Sequence, residues 1–256
     1  WESMDRTLPS LNYEQGLHLK AIARIKKAVS VPVIASGRII HPEMAEGVLK
    51  DGTADLIGMA RELIAEPYWV KKIEAGDPDE IVECIGCNQK CIGRLLQNRA
   101  ISCVVNPAAG FEEDFSNDKL FSKSGKWKKV VVVGGGPSGM KAAEIAAKKG
   151  HKVVLFEKSN ELGGRVKMES ALPKKEELAG TSRYLKYALK KLNVDVRLNK
   201  IATKEDILAE NPDITVVATG SNLVNGEGTY SVEDVISNKV KGETILVMDF
   251  DANIEG

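Results

Sequence analysis

The chain has 256 residues, of which 43% are hydrophobic and 28% charged, the make-up of an ordinary soluble globular protein. Lys plus Arg and Asp plus Glu both number 36, so the formal net charge is zero. That balance gives no support to a nucleic-acid or polybasic membrane role, and no apolar run reaches the roughly 18 residues that a membrane span needs.

The opening stretch "WESMDRTLPS" has neither the basic start nor the apolar core of a signal peptide, so a cytoplasmic protein is expected. It also lacks an initiator Met, and the far end, "ILVMDFDANIEG", reads as a strand and the turn after it. The sequence is therefore expected to be a fragment cut at both ends, with room for one large or two smaller domains.

The first elements alternate helix and strand. "YEQGLHLKAIARIKKAV" (13–29) sets Leu17, Ala21, Ile25 and Ala28 at helical spacing. "VPVIASG" (31–37) is a short apolar run, read as a buried parallel strand. "HPEMAEGVLKDG" (41–52) predicts a helix with Pro near its start and Gly at its end. "ADLIGMA" (54–60) is a second buried strand, and "AEPYWVKKIEAG" (65–76) a further helix. This order implies a parallel sheet, but two strands cannot close a barrel or bury a core, so the segment is expected to end something larger. His18 and His41 read as structural or solvated.

All four cysteines then fall in "ECIGCNQKCIGRLLQNRAISCVVNP" (83–107), spaced C-x2-C-x3-C-x11-C. A disulfide framework does not suit a chain without signs of secretion. Structural zinc stays open, although zinc sites more often use separated C-x2-C knuckles or Cys/His mixtures. A [4Fe–4S] cubane needs four thiolates around one compact cluster, and a tight run supplies them. Cys84, Cys87, Cys91 and Cys103 are the expected ligands. The chain has three histidines and no evident second metal site, so no other metal is expected.

A polar linker, "EEDFSNDKLFSKSGKW" (112–127), precedes "KKVVVVGGGPSGMKAAEIAAKKGHKVVLFEK" (128–158), which reads strand, glycine turn, helix, strand. Gly134, Gly136 and Gly139 form G-x-G-x-x-G, with Pro137 and Ser138 inside the turn. Gly134 permits the bend, Gly136 lets backbone approach a pyrophosphate, and Gly139 lets helix and strand pack closely. The phosphate would sit on unpaired N–H groups at the helix N-terminus. Glu157, followed by Lys158, ends the next strand at about the expected 20 residues and would accept from a ribose hydroxyl. FAD and NAD(P) share this fingerprint. Two later segments, "ELGGRV" (161–166) and "ITVVATGS" (214–221), resemble those that line FAD in two-dinucleotide-domain flavoproteins, which brings in Gly164, Arg165, Thr219 and Gly220.

Taken in order, "SGRI", "GMAREL", "CIGCNQKC", "GGGPSG" and "ATGS" resemble the iron–sulfur NADH:flavin oxidoreductases, a family that includes 2,4-dienoyl-CoA reductase and trimethylamine dehydrogenase. The resemblance covers essentially the whole chain. It implies an α/β protein: the C-terminal end of an FMN-binding TIM barrel (1–80), a [4Fe–4S] segment (81–111), the linker (112–127), and a truncated Rossmann-like FAD/NAD(P)-binding domain (128–256). It also implies FMN contacts at Gly37, Arg38, Ala60 and Arg61, where glycine backbone and arginine can meet a phosphate. The bland alternative for the two arginines is surface charge. The cluster would pass single electrons between two flavin sites.

Two departures qualify the family pattern. Enoyl reductases usually carry Trp-His-Glu where this chain has Trp1 and Glu2, so the His is absent. Asp5 is a weak candidate for an active-site carboxylate, and no other catalytic residue is assigned. Near the end, Asp249, Phe250 and Asp251 stand where NAD(P)H-using relatives start a second glycine turn; carboxylates there would repel a pyrophosphate. Both departures lean towards oxidation of a methylated amine or betaine-like substrate, with an electron-transfer protein as acceptor. The alternative is an NAD(P)H-dependent enoate or dienoyl-CoA reductase. A third reading is an electron-transfer module without catalysis of its own. A small-molecule substrate is expected, nucleic acid and membrane partners are not, and homo-oligomerisation stays open.

Overall fold

The computed structural model describes residues 4–115, 122–221 and 228–237, together with 239, 240, 242, 244 and 246. Trp1, Glu2 and the Asp249–Asp251 stretch lie outside the described residues.

The N-terminal unit is a short strand–helix alternation: α1 (Leu19–Ala28), β1 (Ile34–Ala35), α2 (Pro42–Lys50), β2 (Leu56–Ile57), α3 (Arg61–Ala65) and α4 (Trp69–Glu74). The first helix begins at Leu19 and not at residue 13, because Gly16 bends the chain with φ 69°. The helix predicted over 65–76 runs only over Trp69–Glu74, since Pro67 cannot continue a helix from α3. β1 and β2 pair in parallel, Ile34 opposite Leu56 and Ala35 opposite Ile57.

The expectation that both strands are buried needs correction. Ile34 is 60% and Leu56 52% exposed, and of the four paired residues only Ala35 is fully buried. Among the described residues the two strands pair only with each other, and the helices pack on the face that carries Ala35. On that face Ile22, Ala35, Ile39, Val48, Trp69 and Ile81 form the core. The Trp69 indole N–H donates to the Ile40 carbonyl at 3.2 Å, which satisfies its one polar atom.

The cysteine segment follows as a 3₁₀ turn (Pro78–Glu80), a π-helical turn (Gln89–Gly93) and a single helical turn (Arg94–Leu96). The C-terminal unit is then β3 (Lys129–Val133), α5 (Pro137–Lys148), β4 (Lys152–Phe156), α6 (Arg165–Glu169), α7 (Ala179–Lys191), β5 (Asp195–Arg197), α8 (Lys204–Ala209), β6 (Ile214–Val217) and α9 (Val232–Ile236). Its four strands are all parallel in the order β5-β4-β3-β6. The valine run of β3 is buried on both faces, as a doubly wound sheet requires. Val130 and Val132 pack with Met140, Leu155, Leu185 and Leu189 on one side; Val131 packs with Val154 and Phe156 on the other. Sequence analysis assigns nothing between residues 167 and 213, yet α7 from that stretch supplies the heart of the larger core.

α7 also joins the two units. Asp77, Glu80 and Glu83 line up against one face of the helix. Asp77 accepts from the Tyr187 hydroxyl at 2.8 Å and from Lys191 at 2.7 Å. Glu80 pairs with Lys191 at 2.5 Å, and Glu83 with Arg183. Positions 183, 187 and 191 repeat every four residues, so one stripe of the helix meets one acidic segment. Between these charges Val82 packs against the larger core.

Glu83 also takes His41 Nδ1 at 3.3 Å. That hydrogen bond raises the His41 pKa above its ordinary value, against the opposing effect of partial burial. A raised histidine stabilises the fold below its unfolded pKa, and the contribution fades as pH climbs through the folded value. His41→Gln is therefore expected to lower the unfolding free energy at about pH 5.5 and to have no effect by about pH 9, measured by urea denaturation across the range. An equal loss at both ends of the range would show that packing, not charge, is what His41 contributes.

Candidate functional site

The glycine turn sits between β3 and α5. Gly134 has φ 107°, and a Cβ there would lie 2.2 Å from the Ala218 carbonyl oxygen at the end of β6. A Cβ on Gly139 would lie 1.9 Å from the Gly134 carbonyl oxygen. Gly136 is different, because nothing stands within 4 Å of its Cβ position. The outer two glycines are thus required by packing and the middle one borders open space, which is the cradle a pyrophosphate needs. Gly136 caps the 12-residue helix α5, with Pro137 at its first turn. Ser138 is exposed at the same end.

The flanking segments converge on this turn. The Gly163 N–H donates to the Gly135 carbonyl at 2.9 Å, and a Cβ on Gly164 would stand 3.0 Å from Gly136 Cα. Arg165 donates to the Ser221 hydroxyl at 3.1 Å and carbonyl at 2.7 Å, and to Glu233 at 2.7 Å. These bonds hold the Thr219–Gly220 turn beside the "ELGGRV" loop. Glu157 is buried, and its two oxygens accept the Gly135 N–H at 2.6 Å and the Ser159 N–H at 2.8 Å. Burial pushes its pKa up, but these backbone bonds outweigh it and the net shift is downward. An ionised carboxylate with lone pairs to spare can still accept a sugar hydroxyl. Lys158 is exposed.

At the N-terminal unit, the loop after β1 turns on two successive positive φ values, Gly37 at 120° and Arg38 at 55°. Arg38 points inward: its side chain is 1% exposed and pairs with Glu177, while Nη1 donates to the Tyr13 carbonyl. It is not the free surface charge of the bland alternative. Ala60 and Arg61 open α3 after β2. Arg61 Nη1 donates to the Pro9 carbonyl at 2.7 Å and to Asn88 Oδ1 at 2.5 Å. Asp5 is exposed and holds the Tyr13 hydroxyl, which draws its pKa down.

The four cysteines line one small pocket with Arg61, Ile64, Ile85, Asn88, Val104 and Val105. Burial pushes the Cys84 thiol up to about 12 and also raises Cys87 and Cys103. Such thiols are inert as nucleophiles unless a metal claims the sulfur. No three His, Cys, Asp or Glu side chains among the described residues converge on a point that could hold a single ion. The four cysteines share that one pocket, and four thiolates are the donor set that a [4Fe–4S] cluster would take.

Asn88, in the left-handed region at φ 59°, completes the loop: its amide donates to the Leu8 carbonyl at 2.9 Å while accepting from Arg61. Glu62 Oε2 accepts the Cys84 N–H at 3.1 Å, and burial raises the Glu62 pKa to about 8. Consecutive residues of α3 therefore grip the cysteine loop at two points. Sequence reasoning missed Asn88, Glu62 and Glu177. The first stands inside the cysteine motif and could have been suspected there; the other two carry no local signal.

A parallel α/β unit whose glycine turn opens a helix is the architecture shared by dinucleotide-binding proteins. Residues 8–80 match the NADH:flavin oxidoreductase / NADH oxidase family, and residues 129–192 match the FAD dependent oxidoreductases. The chain is 42% identical over 223 residues to a bilirubin reductase of Mediterraneibacter gnavus, covering 87% of this chain and 34% of that one. It is 41% identical to an NADH oxidase of Thermoanaerobacter brockii, over 97% of this chain and 40% of that one. It is 38% identical to an N,N-dimethylglycine/sarcosine dehydrogenase of Chromohalobacter salexigens, over 96% and 38%. Among solved structures, a 2-naphthoyl-CoA reductase complex aligns with a TM-score of 0.83 at 36% identity, over 91% of this chain and 36% of that one. The chain thus spans between a third and two fifths of the length of these relatives. Residues 8–80 thus belong to the NADH:flavin oxidoreductase / NADH oxidase family, and the fold of the chain is that of the end of a TIM barrel followed by a Rossmann-like unit. No helix among the described residues is long and apolar enough to cross a membrane.

The glycine geometry separates two substitutions. Gly139→Ala is expected to cost on the order of 3 kcal/mol or more, because backbone must move. Gly136→Ala should change unfolding free energy by less than about 0.5 kcal/mol yet weaken dinucleotide retention, measured by bound-flavin fluorescence. Full retention in Gly136→Ala would argue against phosphate approach at that residue.

Proposed function

We propose that this chain is the electron-transferring part of a flavin- and iron–sulfur-dependent oxidoreductase. The observation that carries the reading is the double grip of α3 on the cysteine loop: Arg61 on Asn88, Glu62 on the Cys84 N–H. It ties the residues that resemble an FMN phosphate loop to the backbone and side chain of the loop that carries Cys84 and Cys87. The division of labour follows the expected segments: 1–80 for FMN, 81–111 for a [4Fe–4S] cluster, 112–127 as linker and 128–256 for FAD or its ADP moiety.

When bound, the flavins would exchange electron pairs with substrate or nicotinamide, and the cluster would carry single electrons. The chain's own residues bind and orient. Gly37, Arg38, Ala60 and Arg61 would surround the FMN phosphate. Gly134, Gly136, Pro137, Ser138 and Gly139 would take a pyrophosphate on the N-terminus of α5. Glu157 and Lys158 would face the ribose, and Gly164, Arg165, Thr219 and Gly220 would close over the nucleotide. Cys84, Cys87, Cys91 and Cys103 would hold the cluster in a pocket lined by the apolar Ile64, Ile85, Val104 and Val105 and by the cationic Arg61 and Lys90, surroundings that would tune its potential.

Two polarities are open to this machinery. Oxidation of a methylated amine or betaine-like substrate, with electrons leaving to an electron-transfer protein, is supported by Glu2 in place of a histidine, by Asp249 and Asp251, and by likeness to a dimethylglycine/sarcosine dehydrogenase. The reverse polarity, NAD(P)H reducing an unsaturated substrate, is supported by likeness to a bilirubin reductase and a 2-naphthoyl-CoA reductase. The deciding experiment is an anaerobic titration of the flavin-loaded protein with NADH, NADPH and N-methylated amines, followed by flavin absorbance. Bleaching by amines alone supports the dehydrogenase reading; rapid bleaching by a nicotinamide supports the reductase.

Cys87→Ser is expected to remove iron and acid-labile sulfide while leaving bound flavin. Unchanged iron and sulfide content would overturn the cluster assignment.

A further inference from the structure

Arg38 is expected to serve a phosphate, yet its guanidinium is held from the other side of the molecule. One partner is the Tyr13 carbonyl, within its own unit. The other is Glu177, which lies just before α7 in the nucleotide-binding unit. Glu177 does not simply drift into contact. Its second oxygen accepts the Gln15 amide at 3.0 Å, so the carboxylate is fixed from the N-terminal unit at both oxygens. The cysteine loop closes the third side: a Cβ on Gly86 would stand 2.8 Å from Arg38 Nη2, and Gly86 accepts the Leu11 N–H at 2.9 Å.

This packing leaves one nitrogen of the guanidinium without a partner. Arg38 Nε has no hydrogen-bond partner among the described residues, although the side chain is only 1% exposed. Buried donors are almost always satisfied, and an arginine presents its N–H groups as a rigid planar fork. Once Glu177 and Tyr13 fix the two ends of that plane, the direction of Nε–H is fixed as well. The free donor sits on the residue that follows Gly37, in a bend made of two positive φ values. An anionic oxygen is the acceptor such a donor calls for.

We propose that Glu177 is a positioning residue for the flavin site of the other unit: it orients the Arg38 guanidinium so that Nε–H meets the phosphate of a flavin mononucleotide. The inference rests on the reading of Gly37 and Arg38 as an FMN phosphate loop and adds to it a residue from the nucleotide-binding unit. FMN occupancy and the seating of the two units against each other are then linked, and by reciprocity each strengthens the other. Loss of FMN loosens the Arg38–Glu177 pair, and loss of that pair weakens FMN.

The test uses the flavin-loaded full chain and variants Glu177→Ala, Glu177→Gln, Arg38→Ala and the double Arg38→Ala/Glu177→Ala. FMN dissociation constants come from fluorescence recovery on release, with retention of the second flavin nucleotide as the folding control. Glu177→Ala is expected to weaken FMN about tenfold, and Glu177→Gln, which keeps volume and an acceptor oxygen, by less. The double variant should be no weaker than Arg38→Ala, since Glu177 acts only through the arginine. Proteolysis within residues 112–127 should quicken on FMN removal in the parent protein and be insensitive to FMN in Glu177→Ala. Wild-type FMN affinity in both Glu177 variants, or losses that multiply independently with Arg38→Ala, would overturn the inference while leaving the phosphate loop standing. Wild-type affinity in Arg38→Ala would overturn the phosphate loop itself. Should Glu177→Ala lose both nucleotides, Glu177→Gln decides: weakened FMN with the second nucleotide retained supports the positioning role, and unchanged FMN ends it.

Discussion

The relative placement of the two units is the constraint on which the rest of the site depends. It is fixed along one stripe of α7 (Ala179–Lys191), where Arg183, Tyr187 and Lys191 meet Glu83, Asp77 and Glu80. Each pair is partly exposed, and such pairs taken singly contribute about 0–1 kcal/mol. Their value here is geometric. They lie over Val82, which inserts into the same core as Leu185 and Leu189, so apolar burial holds the units together and the charges set the register. A shift of one helical turn would leave three carboxylates facing the wrong residues.

Two of the buried carboxylates are held ionised by partners that outweigh their burial. Glu144 on α5 is 1% exposed, yet Lys141 at 2.6 Å, Lys148 at 2.7 Å and the Tyr184 hydroxyl all converge on it. Burial alone would push its pKa up; the two lysines outweigh that and the net shift is downward. Glu157 is kept ionised by backbone N–H groups in the same way. Glu62 differs: one oxygen has only the Cys84 N–H, the other has no partner among the described residues, and its pKa rises to about 8. Glu144 and Glu157 are thus compensated, whereas Glu62, with an oxygen left over, sits against the cysteine loop.

The two short strands of the N-terminal unit show the limit of reading by composition. "VPVIASG" and "ADLIGMA" are apolar enough for a strand buried on both faces, but among the described residues only the Ala35 face carries helices, and Ile34 and Leu56 stand on the opposite face, the one a complete TIM barrel turns to its interior. Apolar character states what a strand can tolerate. Coverage is decided by which elements pack on it. In β3, which is likewise apolar, neighbours on both sides and helices on both faces bury every central residue.

The sequence by itself determined the local backbone on which the candidate sites are built. The glycine turn, the acid ending the next strand and the cysteine run are each set by contiguous backbone: a bend needs its glycine, a helix start exposes its N–H groups, and close spacing brings thiols together. The parallel α/β character was legible for the same reason, from apolar runs alternating with helical periodicity. Only the tertiary structure decided the contacts between distant segments. Arg61 with Asn88, Glu62 with the Cys84 N–H, and Arg38 with Glu177 join residues 22 to 139 positions apart, and no spacing rule reaches across such gaps. A glutamate at position 177 looks like any surface acid until the fold carries α7 against the barrel end, because an ion pair depends on distance in space and sequence records only order.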